Sequence, residues 1–289
     1  MTDFLQLTFA GLSVGAIYAL IAVGFVAVFT VSEVINLAQG EFAALSGLVA
    51  ISAMASGLPL IVALALAVAS VAVVAILMER LTIAPVRRMS TLTSIILTLG
   101  VSTGLKAMML LVWGPESRGL DPFPGADFGV LGVSIRSQEL WILGITVVVA
   151  AALTWFYERT AWGKALKACA EQPIAARLVG ISLARASMVS FLIAGVTGAI
   201  AGVAASPIYF TSWESGLAIG LKGFVAATLG GLVSIRGALL GGLSLGVLES
   251  LVAGYVDTGI RDAVAFVVLI VVLVIRPGGV FGRHAEARV

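Results

Sequence analysis

The chain has 289 residues, of which 60% are hydrophobic and 11% charged, with a formal net charge of +2 and a mean hydropathy of +1.14. Soluble domains carry about 25% charged residues, so a soluble fold of this composition has too little polar surface to face water. A single cysteine, Cys169, excludes an internal disulfide, and with a single histidine, His284, the chain cannot build a His/Cys metal cluster or a bis-histidine haem site.

A bilayer removes the solvation problem, because lipid becomes the solvent for the outer faces. At about 20 residues per crossing, the composition predicts an all-α, polytopic integral membrane helix bundle. About eight to nine spans, some broken or re-entrant, make one membrane domain over 1–289. The first apolar run, 5–29, has Asp3 and no basic residue ahead of it. That is the wrong start for a cleaved signal peptide, so the run is expected to stay as a span. Further spans are expected at 41–57, 59–78, 91–113, 140–157, 187–206, 218–235, 237–253 and 262–276. The pairs Gly11/Gly15, Gly198/Gly202 and Gly242/Gly246 suit close helix packing.

Basic residues set the orientation. The segment 79–90 carries Arg80, Arg87 and Arg88; 158–186 carries Arg159, Lys164, Lys167, Arg177 and Arg185; the tail carries Arg276, Arg283 and Arg288. These segments are expected in the cytoplasm. The segment 114–139 sets Arg118 and Arg136 against Glu116, Asp121, Asp127 and Glu139 and is expected outside. The spans satisfy both assignments if the N-terminus is outside.

Two stretches do not read as simple spans. Ser32 to Glu41 carries two acids and two amides directly after a span, and Gly216 to Gly242 is dense in glycine with Lys222 and Arg236 as polar points. Broken backbone at membrane depth marks the substrate route in transporters. Asn36, Gln39, Glu41 and Lys222 are therefore candidates for a translocation path; the alternative is that they only satisfy loose backbone groups. Residues 43–49 also resemble 226–233 with one insertion, which is either the trace of an internal repeat or chance.

No phosphate-binding loop, zinc-protease motif or nucleophile elbow is present. Lys106 and Glu249 are two isolated intramembrane charges, a poor proton relay, and are expected to be paired or near an interface. In 158–186, residues 163–171 alternate small, basic and apolar, Pro173 can open a second short helix, and Gly180 can end it. Ala175, Ala176 and Val179 would form a small-residue face on that helix. Such a segment either docks a partner or rests on anionic headgroups.

Thr160-Ala161-Trp162-Gly163-Lys164-Ala165 followed by Ala175-Ala176-Arg177-Leu178-Val179-Gly180-Ile181 resembles the cytoplasmic coupling loop of LivH-type permeases, which serve bacterial ABC importers of branched-chain amino acids. The likeness runs nearly end to end. It includes Gly15 to Leu20, Asn36 to Glu41, Glu79-Arg80-Leu81, Lys222-Gly223-Phe224, Leu229-Gly230-Gly231 and the tail from Arg276 to Gly282. One departure is Gln39, where the family more often has His.

The resemblance implies a multi-pass permease subunit of the bacterial inner membrane with no ATPase site of its own. Implied partners are two cytoplasmic ATPase subunits, a second homologous permease subunit or an identical chain, a periplasmic substrate-binding protein and membrane lipid. No cofactor, metal or nucleic acid is implied. Coupling to the ATPases is expected at Gly163, Lys164, Ala175, Ala176, Leu178 and Gly180. Related permeases carry urea, short amides or other amino acids; the competing classes are an ion-coupled secondary transporter or channel, and a membrane-embedded enzyme.

Overall fold

A computed structural model describes residues 2–86, 90–130, 133–276 and 278–279. Arg87, Arg88, Arg283, Arg288, His284, Pro277 and Val280 to Gly282 lie outside the described residues. The chain folds as the expected helix bundle: α1 (Thr2–Ser32), α2 (Gln39–Ala55), α3 (Leu60–Met78), α4 (Thr91–Trp113), α5 (Ser137–Arg159), α6 (Ala161–Glu171), α7 (Pro173–Leu178), α8 (Leu183–Ala205), α9 (Ser215–Gly230), α10 (Ile235–Tyr255) and α11 (Arg261–Ile275). A π-helical turn, Glu79–Ile83, prolongs α3. Among the described residues, seven helices are long and apolar enough to cross a membrane, while α2 and α9 are shorter apolar helices of 17 and 16 residues. Together these nine match the nine expected spans to within a few residues.

The bundle is built around α1. Residues Ala16 to Val28 are buried on every side, as expected of a helix that is apolar all round. Glycine allows its closest neighbour in. On α10, a Cβ at Gly242 would strike the backbone of Ala19, and one at Gly246 would strike the backbone of Gly15. Helices α8 and α9 complete the wall, and α2 lies between α8, α3 and α9. By contrast, α3 buries only a stripe through Ala63, Ala67, Val71, Ala75 and Met78, and α11 buries only Ala265. Their other faces are aliphatic and exposed, which suits contact with lipid.

The two ends of the bundle differ. Beside the start of α1 lies a hairpin of β1 (Phe128–Val130) and β2 (Val133–Ile135), which was not expected from the sequence. Arg118 and Thr211 exchange backbone hydrogen bonds of 2.9 and 2.7 Å, tying the segment after α4 to the segment after α8. The end of α1 meets the basic helix α6, where Val31 packs near Leu166 and Cys169. Of the two similar stretches, 43–49 lies within α2, while 226–233 runs off the end of α9 into a turn at Gly231 (φ 85°).

Candidate translocation and coupling sites

The connection from α1 to α2 turns back into the bundle. Glu33 adopts a left-handed conformation (φ 55°) just after α1 and ends it. Asn36 then organises the turn: its Oδ1 accepts from Ala38 N at 3.1 Å, and its carbonyl accepts from Gln39 N at 3.0 Å. Thr98 on α4 holds the same turn from outside, donating to Ile35 O at 3.1 Å and accepting from Leu37 N at 3.2 Å. Gln39 lies against Gly24, eight residues before the end of α1. At about 1.5 Å per residue the chain has climbed back about 12 Å. Non-helical backbone is tolerated at that depth because protein covers it.

Gln39 fills the space left by Gly24 and Gly198 and donates from Nε2 to Ala194 O at 2.9 Å. Glu41 accepts from Ser102 Oγ at 3.0 Å and faces Lys106 Nζ at 3.7 Å. Asn36, Gln39 and Glu41 are fully buried, yet Asn36 Nδ2, Gln39 Oε1 and Glu41 Oε2 have no hydrogen-bond partner. A half-satisfied buried carboxylate is costly, so this break is the most under-paired place in the inner bundle. Thr98, Ser102 and Lys106 were not among the sequence candidates for the path. The signal was present: three polar residues four apart on one face of an apolar helix.

Lys222 does not join this group. It sits on α9, whose glycines Gly216 and Gly220 meet Gly40 and Glu41 of α2. Lys222 itself reaches Glu249 Oε2 at 3.1 Å and Asp262 Oδ1 at 2.7 Å, and lies 5.5 Å from the centre of the Tyr18 ring. Tyr18 donates to Glu249 Oε2 at 2.9 Å, and Arg261 Nε stands 3.6 Å from the same oxygen. Lys106 and Glu249 are thus both paired, each to a charge that the sequence placed tens of residues away.

The segment 158–186 forms a platform against α5 and α8. Thr160 caps α6 by accepting from Gly163 N at 3.0 Å. Gly163 is buried, and a Cβ there would collide with the Phe156 carbonyl, so it is a packing residue of the α5–α6 corner and offers no outer surface. Pro173 opens α7 and Gly180 (φ 87°) follows its end, as the sequence predicts. The expected small-residue face is corrected: Ala176 is 2% exposed and packs in a cluster with Tyr157, Leu166, Cys169 and Ala186. On a helix this short, one face must hold it to the bundle, and Ala176 is the residue of α7 buried there. The exposed face carries Ile174 (78%), Leu178 (84%) and Val179 (76%), with Lys164, Ala175 and Gly180 also exposed. Burial also raises the Cys169 thiol pKa.

Residues 7–273 match the model of the family described as branched-chain amino acid transport system / permease component. The permease protein LivH of the high-affinity branched-chain amino acid transport system of Salmonella typhimurium is 34% identical over 99% of this chain and 98% of its own length. The corresponding protein BraD of Pseudomonas aeruginosa is 33% identical, with the same coverage. A more distant likeness, 29% over 63% of this chain and 54% of the relative, is to the autoinducer 2 import system permease protein LsrC of Escherichia coli. In fold alone, the chain is similar to a chain of the PsaBC–Fab complex from Streptococcus pneumoniae, with a TM-score of 0.53, 11% identity, and coverage of 95% and 92% of the two chains. A full-length match at this identity, on a bundle of apolar helices, makes the chain a multi-pass inner-membrane protein, and it belongs to the family of branched-chain amino acid transport permeases, as a LivH-type member.

Proposed function

We propose that the chain is the permease subunit of an ATP-driven ABC importer that moves branched-chain or closely related amino acids. The observation that carries this reading is the exposed apolar face of α7, Ile174, Leu178 and Val179, on a platform anchored to the bundle by Leu166, Cys169 and Ala176. An exposed apolar face of this kind marks an interaction site, and a protein cleft fits it. In this reading two ATPase subunits grip α7, and their closure moves α6 and α7 as a unit against α5 and α8. A second homologous permease subunit completes the route. A periplasmic binding protein delivers substrate to the outer surface formed by 114–139 and 206–214. The substrate class follows the transport systems to which the similar permeases belong.

The route is assigned to Asn36, Gln39 and Glu41, with Lys222. Co-expression of the chain with its ATPase pair, followed by affinity purification, tests the docking assignment. Leu178→Asp and Ile174→Asp are expected to lose the ATPases and ATP-dependent leucine uptake while remaining monodisperse. Full association and uptake in both variants would remove α7 from the interface.

A further inference from the structure

A cavity of about 520 Å³ opens beside α9, between α1, α11 and the segment after α8. Tyr209 and Phe210, from the external connection, line it together with the first residues of α11, so it lies in the outer half of the bundle. Its walls have two characters. Ile17, Leu217, Ile219, Leu221 and Phe266 are apolar, while Lys222, Arg261, Asp262 and Glu214 are charged. Two cations and two carboxylates on the wall of an otherwise apolar cavity suit a ligand that is neutral overall but carries both charges.

The charged end is also incompletely satisfied. Arg261 donates from Nη2 to the Tyr209 hydroxyl at 3.1 Å, and its buried Nε has no hydrogen-bond partner. Glu249 Oε1, behind Lys222, is buried and unpartnered as well. A guanidinium has five N–H donors, so Arg261 keeps capacity for a carboxylate. Asp262 is 81% exposed at the rim and gives only Oδ1 to Lys222. A pocket that is mainly apolar with a few convergent polar groups is the usual form of a small-molecule site.

We propose that this cavity receives an amphipathic amino-acid zwitterion on the outer side of the permease. Its carboxylate lies on Arg261 and Lys222, its ammonium on Asp262 and Glu214, and its branched side chain on Leu217, Ile17 and Phe266. The inference rests on the amino-acid importer reading and adds a recognition site within this chain.

The test uses the full-length chain in lipid nanodiscs and radiolabelled L-leucine in a scintillation proximity assay. Saturable binding is expected, competed by unlabelled L-leucine but not by leucinol, which lacks the carboxylate, or 4-methylpentanoate, which lacks the ammonium. Arg261→Gln should weaken binding by about tenfold or more, the scale of one hydrogen bond to a charged group. Leu217→Trp should abolish binding by filling the cavity. Asp262→Asn, at the exposed rim, provides a variant outside the packed core and should also weaken binding.

Absence of saturable binding, or wild-type affinity in Asp262→Asn and Leu217→Trp, would overturn the site. Binding seen in phosphatidylglycerol discs but blocked by phosphatidylethanolamine would assign the cavity to a lipid headgroup, again overturning it. The importer reading fails separately. If the reconstituted assembly takes up leucine with ATP and these variants leave uptake unchanged, the site is wrong and the function stands. If the assembly moves no amino acid, the function is wrong.

Discussion

Lys106 Nζ lies 3.7 Å from Glu41 Oε1, joining the peripheral helix α4 to the re-entrant start of α2. Around this pair, α4 meets the inner bundle through Thr98, Ser102 and the Trp113 indole N–H, which donates to Ser52 Oγ at 2.6 Å. A helix in lipid gains little from apolar contacts, because lipid tails offer the same. Polar contacts therefore carry much of what holds α4 in place.

Removing Lys106 should cost more than removing the pair. In Lys106→Met the Glu41 carboxylate stays buried without a cation, a loss of about 3–5 kcal/mol for a fully buried partner. The value should fall at the lower end, because the Lys106 side chain is 21% exposed. Glu41→Gln/Lys106→Met removes both charges and should recover most of the loss. Thermal unfolding of the detergent-solubilised chain measures this; equal melting temperatures for the single and double variants would show that the pair is not coupled.

Glycines that look alike in the sequence should respond in opposite directions. A Cβ at Gly246 meets the backbone of Gly15 on α1, so Gly246→Ala must push α10 from α1. Overpacking of this kind costs about 1–3 kcal/mol. Gly100 and Gly104 on α4 have nothing within 4 Å of an added Cβ. Gly100→Ala and Gly104→Ala should stabilise the isolated chain by up to about 1 kcal/mol through helix propensity. Melting temperatures of the three variants separate the two effects.

The two faces of α7 should separate folding from docking. Ala176→Glu forces a carboxylate among Tyr157, Leu166 and Cys169 and should loosen the platform. Cys169 reports this directly. Its thiol is buried and its pKa raised, so maleimide labelling at neutral pH should be slow in the native chain. Labelling should accelerate in Ala176→Glu and stay slow in Leu178→Asp, whose side chain is 84% exposed. Slow labelling in both would mean that Ala176 tolerates charge and its burial is not structural.

Legibility in the sequence varied with the range of the interaction. The ends of α7 were readable because Pro173 and Gly180 act locally, through a missing N–H and a left-handed φ. Which side of α7 faces outward was not, because Ala175 and Ala176 are equivalent in any local pattern. Their difference depends on where α5 and α8 pass. The pairing of β1 with β2 was likewise invisible, since the strands are three residues each.

Composition, span length and the placement of Lys and Arg determined by themselves that this chain is a multi-pass helical membrane protein, because the bilayer imposes those rules on each segment separately. The order of its motifs also determined the resemblance to LivH-type permeases. Tertiary structure decided how the candidate residues group. Asn36, Gln39 and Glu41 share one break with Lys106, which the sequence left isolated, while Lys222 belongs with Glu249, Arg261 and Asp262 in another region. Buried charges must find partners where helices cross, and crossings depend on which glycines let backbones approach, a property of pairs of helices that no single segment carries.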